Sequence, residues 1–178
     1  MFNAFDKLGL DVDFDLNKSD LEQAYLTMMK ICHPDQQVVT TNETMVLDEA
    51  VSVNQAYKVL KDPYLRAQHC LQLQKFSFNF DTSTSSDILM ESMSLRESLE
   101  DAEAVTCVDH LLKDVKNKKE IILADLISAF KNNDLSKACH LTEHLGYLNK
   151  FQHEAQEKLW ALEETNILME NTHASSAA

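Results

Sequence analysis

Glycine and proline are almost missing from this chain: each occurs only twice in 178 residues. So little turn-forming capacity excludes the many tight reversals of a sandwich or barrel, and plentiful Leu, Ala, Glu, Lys, Gln and Met favour helices on short connections. An all-α fold is expected. Long apolar runs are missing as well. No stretch approaches the roughly 20 residues needed to cross a bilayer, so no membrane contact is expected. Cysteine is sparse, and Cys32, Cys70, Cys107 and Cys139 lie too far apart to form any C-x-x-C pair. With no charged-then-apolar leader at the start, the expectation is a reduced, cytoplasmic protein.

Bases are also in short supply. The formal net charge is −13, from seven bases against eleven acids through Lys75 and nine against eighteen beyond it. A surface of that sign repels phosphate backbones and gains nothing from counterion release. This argues against nucleic acid and anionic lipid as partners and suits a basic protein patch. The length allows one domain or two small ones, either able to bury a core and fold unaided.

What the chain has is helical periodicity. Phe2, Phe5 and Leu8 share helical spacing, and Gly9 can end that short helix in the left-handed conformation. Asn17 can cap a second helix with Asp20 in its first turn, and Leu21, Tyr25, Met28 and Cys32 fall on one face. That helix stops at His33-Pro34-Asp35. Gln36 to Thr41 reads as a loop and Asn42 as a cap. From Glu43 to Lys61, Val46, Ala50, Val53, Tyr57 and Leu60 repeat at spacings of four and three, the seam of a helix packed against another. The second and third helices should form an antiparallel hairpin. Asp62-Pro63 breaks the chain and starts a fourth helix, about Pro63 to Gln74.

The run from Lys75 to Ser86 has no helical period, although Phe76, Phe78 and Phe80 argue against a loose linker. Beyond it lie three longer helices. Ile88, Leu89, Met93, Leu95 and Leu99 mark the first, Val105 to Phe130 the second, and Leu135 to Leu162 the third. Asp134 caps the last of these, and an antiparallel bundle buries the stripes most simply. The expected organisation is 1–75, a junction at 76–86, a bundle at 87–170 and a disordered tail at 171–178.

On local grounds His33-Pro34-Asp35 is a helix stop, in which Pro34 ends the helix, Asp35 bonds a backbone amide and His33 meets the negative helix end. Its setting adds more. A short helix, a helix ending in this tripeptide, a loop, and an antiparallel helix carrying Asn54-Gln-Ala-Tyr-Lys-Val-Leu-Lys-Asp-Pro63 together resemble a J-domain. Asp62-Pro-Tyr-Leu-Arg-Ala67, Ile88-Leu-Met-Glu-Ser-Met-Ser-Leu-Arg-Glu-Ser-Leu99 and Gly146-Tyr-Leu-Asn-Lys150 resemble segments of the HscB-type J-protein co-chaperones of iron–sulfur cluster assembly.

The resemblance implies a protein with no catalytic residues and no cofactor, which stimulates the ATPase of an HscA/DnaK-class chaperone and delivers the IscU-type scaffold protein to it. It implies chaperone contact through His33, Pro34 and Asp35 with Lys30, Tyr25 and Met29, and scaffold contact through Leu89, Met90, Met93, Glu97 and Tyr147. The spacing of Leu89, Met93 and Glu97 independently places these three on one helix face, and methionine suits a surface that must adapt to a partner. Gln36 stands where the family usually has lysine, and Lys30 is the only base between Leu21 and Cys32. Gly146 stands where the family tends to carry arginine.

Three other readings compete. The adjacent pairs Cys32-His33, His69-Cys70 and Cys139-His140 suggest nucleophile and base, but neighbours on a helix point about 100° apart and cannot bond each other. A metal-binding helical protein could use Cys107 with His110 and His140 with His144, each pair at helical spacing. An acidic helical adaptor would leave the tripeptide as an incidental stop.

Overall fold

The computed structural model describes residues 2–32, 43–76 and 85–176, and the side chains among them except 43–47 and 169–176. His33, Pro34, Asp35, the Gln36–Thr41 loop and most of the 76–86 junction therefore lie outside the described residues. Every regular element described is an α-helix, and no strand occurs among the described residues.

The helices begin and end where local chemistry satisfies their free backbone groups. α1 (Ala4–Leu8) starts as the Asn3 side chain accepts from Phe5 N–H, and α2 (Lys18–Ile31) as Asn17 accepts from Ser19 N–H. α3 (Glu43–Lys61) is separated from α4 (Pro63–Leu73) by Asp62, whose carboxylate accepts from Leu65 N–H at 3.0 Å while Pro63 takes the first helical turn. α5 (Ser86–Glu100), α6 (Val105–Lys131) and α7 (Leu135–Ser176) follow, the last begun by Asp134 accepting from Lys137 N–H at 3.0 Å.

Three stops share one hydrogen-bond pattern. Gly9 (φ 67°) closes α1, Lys75 (φ 56°) follows α4 and Asn133 (φ 55°) follows α6. In each case the left-handed residue donates three residues back and its successor donates five back. α7 does not stop at 170: it continues to Ser176, because neither glycine nor proline follows Gly146 to end it.

The chain divides into two compact units. The first holds the described residues of 1–78 and of 126–142. In it α3 packs against α1, α2 and α4, with Val53, Ala56 and Leu60 fully buried. α1 is received by His69 of α4. The buried imidazole accepts the Ala4 N–H at Nε2, 3.0 Å away, satisfying an orphan donor of α1, and lies against the Phe5 ring. α2 and α3 run antiparallel. Tyr25 stacks on Tyr57 at 4.2 Å and donates from its hydroxyl to Asn54 Oδ1 at 2.8 Å.

Arg66 joins the remaining parts of this unit. Its guanidinium donates to the Leu60 carbonyl at 2.8 Å, one of the free carbonyls ending α3, and lies 5.1 Å from the Phe14 ring centroid. Phe14 in turn meets Phe130 at 5.0 Å, and Lys131 Nζ donates to Asp15 at 2.8 Å. These contacts group the α6–α7 turn with the N-terminal helices, although in sequence it falls within the 87–170 segment.

The second unit holds α5, α6 through Asp125 and α7 from Glu143. α5 and α7 run parallel, since Glu91 pairs with His144, Arg96 with Glu154, and Lys158 with the last carbonyls of α5. α6 runs against both. Ile88, Leu99, Val108, Val115, Leu145, Leu148, Phe151 and Ala155 fill the interior.

Two stability tests follow from the first unit. Arg66→Ala should lower unfolding free energy by about 2 kcal/mol, since it removes a charge-assisted bond and leaves a helix-end carbonyl buried. Arg66→Lys should recover only part, because an ammonium cannot lie flat on Phe14 while reaching Leu60. Urea unfolding followed by circular dichroism measures both. The second concerns pH. Burial pushes the His69 imidazole below its ordinary value of 6.5. The unfolded chain therefore binds the proton more readily, and stability should fall as pH drops below about 6.5 towards the folded value. Denaturation midpoints between pH 7.5 and pH 5 should show that slope, reduced in His69→Gln.

Candidate partner-binding surfaces

On α2, the 21-25-28-32 series points inward: Leu21 and Cys32 are buried, and Tyr25 and Met28 are half-buried. Tyr25 is thus committed to the hairpin through Tyr57 and Asn54. Met29 is half-buried and Lys30 exposed. Leu26 and Ile31 are also exposed, and the sequence reading did not single them out. Their signal was available, because both are apolar and both fall off the inward series. The outer face of α2 is mostly polar, with Ser19, Gln23, Thr27 and Lys30 exposed and Leu26 and Ile31 apolar at its edges.

On α5 the division is equally clear. Ile88, Ser92 and Leu99 are buried, while Leu89, Met90 and Met93 are 43, 70 and 62% exposed and Glu97 is exposed. Three large apolar side chains facing solvent beside a carboxylate make a surface that burial in the bundle does not explain. Tyr147 of α7 is half-buried in the crevice formed with Ile88, Glu91, Ser92, Leu95, His144, Leu148 and Phe151. Lys150 Nζ lies 5.5 Å from its ring centroid.

Charged groups hold α5 to its neighbours beside this face. Arg96 donates from Nε and Nη2 to the two oxygens of Glu154 at 2.9 and 3.0 Å, and from Nη1 to Ser92 Oγ at 2.9 Å, which satisfies that buried hydroxyl. The fork raises the Arg96 pKa and lowers that of Glu154, each chiefly through the shared hydrogen bonds. Burial by itself would raise the Glu91 carboxyl. Bonds from Lys118 of α6 and His144 of α7 outweigh that burial and hold it below the usual carboxylate range. One carboxylate therefore ties all three helices.

The His69-Cys70 pair finds no catalytic setting. Burial pushes the Cys70 thiol up to about 12, and His69 is already the acceptor for Ala4 N–H, so this pair supplies no thiolate and no free base. Burial, then the nearby Glu49 charge, raises Cys32 as well. Cys107, His110, His140 and His144 do not assemble as ligands: among the described residues no three His, Cys, Asp or Glu side chains form a group able to hold a metal ion. His144 instead meets Glu91 at 2.6 Å. No described helix is long and apolar enough to cross a membrane.

A four-helix N-terminal unit joined in sequence to a helical bundle is the architecture of a two-part J-protein co-chaperone. Residues 3–69 match the DnaJ domain family, and residues 84–156 match the HSCB C-terminal oligomerisation domain family. A co-chaperone HscB homolog of Pseudoalteromonas atlantica is 30% identical over 171 residues, covering 90% of this chain and 98% of that protein. One from Haemophilus influenzae is 28% identical over 164 residues, covering 88% and 94%. The solved structure of the chaperone HscB from Vibrio cholerae is similar, with a TM-score of 0.79, 28% identity, and coverage of 90% of this chain and 99% of that one. Human co-chaperone HscB, at 23% identity and a TM-score of 0.81 over 88% of this chain and 81% of that one, shares the fold.

The chain belongs to the HscB family of J-protein co-chaperones. It is accordingly a co-chaperone of iron–sulfur cluster assembly, from a family whose partners are DnaK-class chaperones.

The outward placement of the α5 residues predicts their energetics. Met90→Ser and Met93→Ser should each change unfolding free energy by less than about 0.5 kcal/mol. Ile88→Ala, on the inward side of the same helix, should cost about 2–4 kcal/mol. Thermal and urea melts of the three variants distinguish a solvent-facing surface from core.

Proposed function

We propose that this protein stimulates ATP hydrolysis by an HscA-type chaperone through the His33-Pro34-Asp35 segment and α2, and delivers to that chaperone an IscU-type scaffold held on α5 and α7. The observation that carries the reading is the solvent-facing set Leu89, Met90 and Met93 with Glu97. It occurs in the same chain as a DnaJ-family unit, whose second helix ends immediately before the tripeptide.

Neither step asks the protein for catalysis. His33 and Asp35 act as a shaped polar contact that favours the chaperone's hydrolysing state, and Pro34 sets the direction of the segment. Lys30 supplies a positive charge in the last turn of α2, while Met29, Leu26 and Ile31 supply apolar area, so the chaperone surface that fits is less acidic than one facing a strongly basic helix. Tyr25 contributes indirectly by fixing α2 on α3. On the bundle, the methionines give an adaptable apolar contact, Glu97 an acidic edge, and Tyr147 an aromatic side chain at the α5–α7 crevice. One chain binding both partners raises their effective concentration for each other, so two weak contacts act as a specific one.

Single-turnover ATP hydrolysis by the cognate chaperone, with and without scaffold, tests both halves. Wild type should accelerate hydrolysis, and further when scaffold is added. His33→Gln should abolish stimulation in both conditions. Leu89→Ala/Met93→Ala/Tyr147→Ala should keep the scaffold-independent stimulation and lose the scaffold-dependent increment. Stimulation by His33→Gln equal to wild type would remove the triggering role, and an undiminished increment in a folded triple variant would move the scaffold site elsewhere.

A further inference from the structure

The far end of α7 carries a second apolar surface, unrelated to the α5 face. α5 ends at Glu100, whose carbonyl accepts from Lys158 Nζ at 2.9 Å, yet α7 continues to Ser176. Past that point the helix uses one side for the bundle, where Leu159 is buried and Leu162 half-buried. On another side Trp160 is 61% and Ile167 59% exposed. Trp160 and Ile167 are seven residues apart, two helical turns, and so lie on one line along the helix. The HSCB family match ends at residue 156, before this line begins.

The line is bordered by acid on both sides. At 100° per residue, Glu157 and Glu164 flank it on one side and Glu163 on the other, all three exposed. An apolar seam between charged borders is the arrangement of a helix that pairs with another helix, in which the bordering charges choose the partner. A second copy of this chain would set glutamate against glutamate and add its own net charge of −13 to the repulsion. A partner with lysine or arginine in the same places would meet opposite charge along the whole seam. Tryptophan is the side chain most able to anchor such a contact, through its large area and few rotatable bonds.

We propose that Trp160 and Ile167, bordered by Glu157, Glu163 and Glu164, form a docking site for a basic amphipathic helix of a partner protein. The site is independent of the tripeptide and of the α5 face.

Trp160 is the chain's only tryptophan, so its emission reads this site directly. The probe is a synthetic helix with leucine at the a and d positions and lysine at e and g, titrated into the full chain. Trp160 emission should shift to the blue and saturate. Binding should weaken as salt is raised from 0.1 M to 1 M, where the screening length falls from about 10 Å to about 3 Å. Glu163→Gln/Glu164→Gln should weaken it about five- to tenfold, from the loss of two charge pairs at a partly desolvated seam. Ile167→Ser, which leaves the reporter in place, should weaken it further, with helicity by circular dichroism showing that the variants remain folded. Three results would overturn the proposal: no emission change, equal binding of a matching probe with glutamate in place of lysine, or a blue shift produced by raising the concentration of the protein alone.

Discussion

The Arg66 guanidinium meets several separate demands of the N-terminal unit. It supplies a donor to the Leu60 carbonyl where α3 runs out of helical partners, and it lies over Phe14, which packs against Phe130 in the α6–α7 turn. Asp62 and Pro63 break the helix just before it, which lets the chain turn so that Arg66 can reach back. The arrangement is not free of cost: burial lowers the Arg66 pKa against the pull of Asp62, Asp15 and Asp13, and Nε has no hydrogen-bond partner among the described residues. A planar, delocalised cation tolerates this better than an ammonium would, because its face interacts with the ring while its edge bonds the carbonyl. The end of α3, the segment carrying Phe14 and the turn near Phe130 thus depend on one side chain.

The bundle achieves its order differently, with polar ties along the flank of an apolar interior. Arg96 joins α5 to α7 through Glu154, and Glu91 joins α5 to both α6 and α7. With α5 held by these ties and by Ile88 and Leu99, the side chains on its outer face have no structural task. Leu89, Met90 and Met93 face solvent. A surface offered from a fixed helix loses little conformational freedom on binding except in its own side chains, and methionine keeps enough of that freedom to adapt. The α7 extension follows the same logic, burying Leu159 on one side and presenting Trp160 and Ile167 on another.

Much of this is legible in the sequence. Asn17, Asp62, Asp134 and Gly9 announce helix ends by mechanisms confined to a few neighbouring residues, and all four act in the structure as their types suggest. The turn after α6 uses Asn133, whose short amide tolerates the left-handed conformation, whereas Lys75 adopts it with no such local help, so its residue type does not announce the stop. On α2, periodicity identified the inward series but did not weigh Leu26 and Ile31, because an apolar residue off the main stripe carries no mark of whether a second element covers it.

By itself the sequence determined the all-α class, the number and bounds of most helices, and the motifs that place the chain among J-proteins, because each of these depends on local backbone chemistry or on residue order. Only the tertiary structure decided which apolar residues of α5 face water, that Tyr25 is committed to the hairpin, that His144 meets Glu91, and that the α6–α7 turn groups with the N-terminal helices. Those outcomes depend on which helices become neighbours. Helical spacing shows which residues share a face, but another part of the chain has to arrive before that face becomes core, and the faces left uncovered are the ones available to partners.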